Sequence, residues 1–257
     1  MRLSLIFFAF VGLLGCQSLH VCADVITLYD GTGRPSQQSW LTYFALPLGS
    51  ATETILGTGV RLETNAETRA GYSNYLPVLP PATPSLKNNS FPTLNRTDGF
   101  ALQFQVAIDS ESHLDNNRAG FSVILLGSDQ RGIELGFWTD RIWAQETDFV
   151  QSEGVALDTT QLRTYELRVL GEQYDLREDG ISRLTGAVRN YSGFGVPYNL
   201  SNYLFLGDNT TSAGANARFG AIVLQPNLSS VPEPTSAFLV AVAFGWMARR
   251  RPYRVKA

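Results

Sequence analysis

Histidine and cysteine are almost missing from this chain: His20, His113, Cys16 and Cys22 are the only ones in 257 residues. Two cysteines cannot build a disulfide scaffold, and so few Cys and His exclude a zinc site of the usual kind. Positive charge is thin as well. Between Asp24 and Val231 fourteen Lys and Arg face twenty-two Asp and Glu, a net charge of −8, and Lys87 is the only lysine. An acidic stretch without basic clusters excludes a nucleic-acid partner, because phosphate binding needs a basic face. Helical periodicity is scarce, no internal repeat recurs, and no apolar run reaches the ~20 residues of a membrane-spanning helix. What remains is ample for a packed core: 44% of the residues are hydrophobic and only 17% charged.

The two ends are expected to be addresses rather than fold. Arg2, the apolar run Leu5 to Gly15 and the slim residues Val21 and Ala23 form a secretory signal peptide over residues 1–23. Leu13-Leu14-Gly15-Cys16 also resembles a bacterial lipobox, in which Cys16 would be acylated. At the other end Val231-Pro232-Glu233-Pro234 precedes the uncharged stretch Ala237 to Ala248, closed by Arg249-Arg250-Arg251. Such a segment enters a bilayer transiently and stops at the arginines. This order of features is similar to the PEP-CTERM tail of exported bacterial proteins, and the basic tail runs on here to Lys256. The resemblance implies a sorting signal over 229–257, recognition by an exosortase, and delivery to the cell envelope, cell surface or extracellular matrix. Six Asn-x-Ser/Thr sequons, at Asn88, Asn95, Asn190, Asn199, Asn209 and Asn227, follow from an Asn- and Ser-rich β composition.

Between the ends the pattern has period two. Leu102, Phe104, Val106 and Ile108 alternate along one run, Phe121 to Leu126 is nearly all apolar, and further runs cover Ile133 to Trp138, Ile142 to Gln145, Tyr165 to Leu170, Tyr174 to Glu178, Tyr203 to Leu206 and Arg218 to Leu224. With Val25 to Tyr29, Trp40 to Leu46 and Gly59 to Glu63 these give about ten to twelve strands. One sheet cannot bury both faces, so an all-β antiparallel two-sheet sandwich over 24–228 is expected. Pro77 to Asn95 reads as a long loop, and Gly207 to Asn216 as another. Gly120 to Leu125, Gly132 to Trp138, the following hairpin and Asp179-Gly180 resemble the succession in concanavalin A-like, laminin-G-like jelly rolls.

Catalytic signatures are few. No Gly-x-Ser-x-Gly elbow accompanies His113, and the Glu-x-Asp-x-x-Glu strand of jelly-roll glycosidases is absent. Glu134 and Glu166 stand alone on their strands, and Asp175, Glu178 and Asp179 lie around a turn. Asp109, Glu111 and Asp115 in one loop and Asp208 with Asn209 in another offer oxygen ligands for calcium, in no defined motif, and no cofactor is implied. The hairpin Phe137 to Trp143 is the candidate ligand site: Trp138 and Trp143 supply aromatic faces, Asp140 and Arg141 polar groups. The reading is a non-enzymatic exported protein with an exopolysaccharide as candidate ligand; the alternative is a glycosidase or lyase on the same scaffold.

Overall fold

The computed structural model describes residues 25–78 and 82–228, so the signal peptide and the Val231–Arg251 sorting signal lie outside the described residues. Sixteen strands follow in order: β1 Ile26–Tyr29, β2 Thr42–Leu46, β3 Thr52–Ile55, β4 Val60–Glu63, β5 Arg69–Ser73, β6 Phe100–His113, β7 Ser122–Leu126 and β8 Arg131–Phe137. Then come β9 Arg141–Gln145, β10 Gln151–Ala156, β11 Arg163–Leu170, β12 Gln173–Glu178, β13 Ile181–Ala187, β14 Arg189–Asn190, β15 Leu204–Asp208 and β16 Ala213–Gln225. Two short 3-10 turns are the only helical elements among the described residues, and no helix there is long and apolar enough to cross a membrane.

All pairings are antiparallel and form two sheets. The first runs β13-β12-β11-β6-β16-β4-β3 with β1 also on β16; the second runs β10-β9-β8-β7-β15-β5-β2 with β14 also on β8. Alternation explains the packing. Phe100, Leu102, Phe104, Val106 and Ile108 of β6 face the second sheet, as do Tyr165, Leu167 and Val169 of β11. The second sheet answers with Val123, Leu125, Ile133, Leu135, Phe137, Ile142 and Ala144. Phe104 meets Phe137 edge-on at 6.1 Å, Phe137 meets Phe121 at 5.5 Å, and Phe121 meets Phe219 at 5.2 Å. Truncating any of these rings to Ala costs about 3–5 kcal/mol. The result is consistent with the jelly-roll class of sandwich.

Bulges keep the pattern in phase. Phe219 and Ile222 of β16 both reach the core because the pairing with β6 shifts between them, which resets the side-chain parity. The Asp179-Gly180 turn has positive φ at both residues, 48° and 82°, the two-residue geometry that suits the twist of adjoining strands.

Three strands carry no readable alternation. β3 is mostly exposed, β5 (Arg-Ala-Gly-Tyr-Ser) has Tyr72 as its one large apolar side chain, and β10 opens with half-buried Gln-Ser-Glu-Gly, so their pairing comes from neighbours rather than from an apolar period. The expected loop Gly207 to Asn216 is also shorter than expected. Gly207 and Asp208 belong to β15 and Ala213 to Asn216 to β16, and a Cβ at Gly214 would lie 2.5 Å from the Asn65 backbone. Small residues there permit close approach of chains.

The proline-rich connection is pinned by the domain's single lysine. Lys87 Nζ donates to the carbonyls of Ser36 at 2.8 Å, Gln38 at 2.6 Å and Leu41, gathering the turn before β2 around one ammonium. Lys87→Met leaves three inward carbonyls unanswered and is expected to cost about 2 kcal/mol by urea denaturation. Lys87→Arg should restore little, since a planar guanidinium cannot aim three donors at one cluster. An unchanged urea midpoint for Lys87→Met would refute the role.

Candidate functional site

The outer face of the second sheet combines an unusual row with a buried charge. With Val123, Ile133, Leu135, Ile142 and Leu206 turned to the core, alternation turns Ser122, Ile124, Glu134, Gly136, Trp143, Phe205 and Gly207 outward. Register lines up Gly154, Trp143, Gly136, Ser122, Gly207, Gly71 and Phe44 across seven strands. Neighbouring rings lie over this row of small residues. A Cβ at Gly136 would meet the Trp143 ring at 2.7 Å, and one at Gly71 the Phe205 ring at 2.6 Å, so only glycine allows both rings to lie flat.

Beside this row the segment between β14 and β15 covers Ile124, Leu126 and Phe205 with Tyr191, Tyr198 and Tyr203. Beneath it lies Glu134, 1% exposed. Tyr198 Oη donates to Glu134 Oε2 at 2.6 Å, and Asn209 Nδ2 donates to Oε1 at 3.0 Å and to Tyr198 Oη at 2.9 Å. Arg118 approaches Oε1 at 3.7 Å, donates to Asn209 Oδ1 at 3.1 Å, and sits over the Phe149 ring at 4.8 Å. Burial and the adjacent Glu134 carboxylate push the Tyr198 phenol well above its ordinary range. A phenol that stays protonated remains a donor to Glu134.

Arg118 joins this cluster to the hairpin. Trp138 Nε1 donates to the Arg118 carbonyl at 3.1 Å, while Trp138 stacks on His113 at 4.0 Å and meets Trp143 edge-on at 4.8 Å. Trp138 is 8% exposed and Trp143 fully buried, and with Ala119 they form a small cluster separate from the sandwich core, which takes Phe137. Trp143 Nε1 has no hydrogen-bond partner among the described residues. Asp140 is exposed, and the Arg141 guanidinium lies 5.8 Å from the Trp138 ring. The turn is shifted by one residue from its expected place: Trp138 to Asp140 connect β8 to β9, closed by the Trp138 amide on the Arg141 carbonyl. Glu134 carried a readable signal, a lone carboxylate in an apolar strand. Arg118 and Tyr198 lie in loops with none.

Farther along the same face an apolar cleft of about 220 Å³ opens over β2, β5 and β15, floored by Phe44, Tyr75 and Phe205 and reaching Asn209, Ser73 and Arg69. The other carboxylates singled out in the sequence are engaged elsewhere. Asp109 accepts from Arg218 at 2.8 Å, Glu111 meets His113 at 2.8 Å, Glu166 pairs with Arg168 at 3.0 Å, and Glu178 is held by Arg163 and Arg183. Among the described residues no three His, Cys, Asp or Glu converge in an arrangement that could hold a metal ion.

Asp208 is fully buried. Its Oδ1 accepts from the Thr210 amide at 3.0 Å, its Oδ2 has no partner among the described residues, and burial pushes its pKa up to about 8. The folded chain therefore holds a proton that the unfolded chain gives up near pH 4, and stability from this group falls as pH rises from about 4 to about 8. Asp208→Asn should flatten that decline and stabilise the protein by about 2 kcal/mol or more at pH 8. Parallel pH profiles in thermal melts would count against it. For the Glu134 cluster, a double-mutant cycle of Tyr198→Phe and Glu134→Gln should show coupling of about 1 kcal/mol or more; additive losses would mean the contact contributes nothing.

No protein-family model matches the chain, and no curated protein matches its sequence. Solved structures do. The chain is similar to a carbohydrate esterase from Shiga toxin-encoding bacteriophage phi24B, with a TM-score of 0.50 and 12% identity over 79% of this chain and 100% of that one. An alginate lyase of polysaccharide lyase family 7 gives a TM-score of 0.42 at 10% identity over 70% of this chain and 85% of the lyase. The VIP36 exoplasmic/lumenal domain in its Ca2+/Man2-bound form gives 0.44 at 11% over 83% and 90%. At 12% identity the likeness to the esterase is one of fold.

Proposed function

We propose that this domain binds an extracellular polysaccharide on the outer face of its second sheet, as the non-enzymatic module of an exported envelope or matrix protein. The observation that carries the reading is the tip of the hairpin, where the exposed Asp140 and the Arg141 guanidinium stand beside the Trp138 ring, on a base that Trp138 Nε1 anchors to the Arg118 carbonyl and so to the buried Arg118–Glu134–Asn209–Tyr198 network. Sugar recognition combines aromatic surface with a few oriented hydrogen-bonding groups, and Asp140 and Arg141 are polar groups of that kind held at the edge of an aromatic cluster. A carbohydrate esterase with a similar fold lends support. Trp138 and Trp143 act as the packed base of the hairpin, and Asp140 and Arg141 reach the ligand from its tip.

The non-enzymatic reading rests on carboxylate placement. Glycoside hydrolysis needs two carboxyl groups about 5–10 Å apart in one cleft. Glu134 points out from the second sheet with both oxygens engaged, whereas Glu166 lies on β11 of the first sheet with its neighbours Tyr165 and Leu167 turned to the core. The alternative, a glycosidase or lyase, draws on the same Tyr198, Glu134 and Arg118, which bring a phenol, a carboxylate and a guanidinium together. For the ends of the chain the reading is removal of residues 1–23 and exosortase processing near Pro232-Glu233-Pro234.

Affinity electrophoresis against neutral and uronate-rich polysaccharides should detect retardation that a paired Asp140→Ala and Arg141→Ala substitution reduces about fivefold without changing the melting temperature. Retention of full binding by that variant would remove the hairpin. Release of reducing ends or unsaturated sugars would put the enzyme ahead. Mass spectrometry of the protein from its native host should give a first residue near Asp24 and no arginine cluster.

A further inference from the structure

The cleft over β2, β5 and β15 has a chemistry that sugars do not need. Its walls are Leu46, Leu76, Pro77, Val78, Val196 and Pro197, on a floor of aromatic rings. Exposed apolar side chains cluster at its mouth: Leu46, Leu76, Val78 and Val196 are all more than a third exposed. A second hollow shares Phe44, Leu46, Pro77 and Val78 with it, so the apolar surface continues past the β2 edge.

One end of this surface is charged. Arg69 is exposed on β5 and lines the cleft together with Ser73 and Asn209. Among the described residues eleven arginines have a carboxylate within ion-pair distance, and Arg69 is not one of them. The acid whose charge it does feel is Asp208, which burial keeps largely protonated at neutral pH. Arg69 thus stands as an uncompensated cation beside apolar walls.

We propose that this cleft binds an amphipathic carboxylate, with a medium-length acyl chain along the Phe44–Phe205 floor and its anionic end on Arg69. The cleft, about 220 Å³ and open to solvent, has room for an acyl chain of medium length such as that of octanoate. The inference does not rest on the polysaccharide reading, and its test contains no sugar.

Isothermal titration of the full-length chain with sodium octanoate should give saturable binding with a Kd of roughly 0.1–1 mM. 1-Octanol, of equal length and uncharged, should bind about tenfold more weakly, and acetate not at all. Arg69→Gln should weaken octanoate about tenfold and leave octanol unchanged. Leu76→Asp, at the exposed rim where it cannot disturb the core, should abolish both. Octanoate failing to saturate on a chain with native circular dichroism would overturn the proposal. So would equal affinity for octanoate and octanol with no effect of Arg69→Gln. Co-sedimentation with phosphatidylglycerol vesicles, without octanoate binding, would assign the surface to a membrane instead.

Discussion

The antiparallel ladder between β6 and β16 is the constraint on which the rest depends. β16 pairs with β6 along nearly its whole length, and its other edge is shared by β4 and β1. Three segments distant in sequence are therefore fixed against one strand. The ladder ends with His113 opposite Ala213, and the chain beyond it remains paired through the Leu114 amide on the Ser212 carbonyl. Two loops spring from that end: one carries Arg118 into β7, and the other, arriving from β15, carries Asn209. Their contact across 91 residues of sequence follows from strand register. His113 meets Trp138 there too, so the hairpin and the buried cluster rest on one end of one ladder.

Burying Glu134 beneath that junction costs free energy that the contacts must offset. Removing a carboxylate from water costs several kcal/mol, and the attraction of a partly distant guanidinium recovers only part of it. Two direct hydrogen bonds supply most of the remainder, from groups that themselves need partners when buried: the Tyr198 phenol and the Asn209 amide. The cluster therefore specifies a position more than it adds stability. Only with the covering segment docked so that Tyr198 lies over β8 is the carboxylate satisfied, and the ring contacts of Tyr198 with Tyr191 at 5.5 Å and Phe149 at 5.5 Å reinforce the same placement. A polar group in an apolar layer selects one packing among many of similar hydrophobic content.

Much of the fold was legible because alternation is a physical necessity for a half-buried strand. β6 and β11 show it along their cores, and Phe121 to Leu126 reads as covered on both faces because β7 packs on the core with one side and under Tyr191 and Tyr203 with the other. The strands that were silent lack an apolar run: β3 lies at an edge as Thr-Glu-Thr-Ile, and β5 sends only Ala70 and Tyr72 into the core while Gly71 lies beneath the Phe205 ring, so Arg-Ala-Gly-Tyr-Ser is too short and too polar to show its period. For the candidate site, the hairpin was legible through its aromatic content. That Phe137 would enter the core while Trp138 and Trp143 formed a separate cluster was not, because Trp138 leaves the strand at its last residue and is placed by a loop. Arg118, Tyr198 and Asn209 meet only through register, which no local pattern encodes.

Charge gives the outer face of the second sheet its character. The chain is acidic from Asp24 to Val231, and among the described residues most guanidiniums have a carboxylate within ion-pair distance, as Arg218 has Asp109 and Arg189 has Glu153. Among the described residues Arg69 and Arg141 stand apart from this pattern, and both belong to the second sheet, one beside the apolar cleft and one beside Trp138. A net negative field repels anions at long range, but in physiological salt that field is screened within about 8 Å. Inside that distance a ligand meets a local cation backed by aromatic or apolar surface, where partial desolvation strengthens the pairing. For the anionic ligand proposed for this face, binding thus depends on the few charges that have no partner among the described residues and not on the sum of the charges.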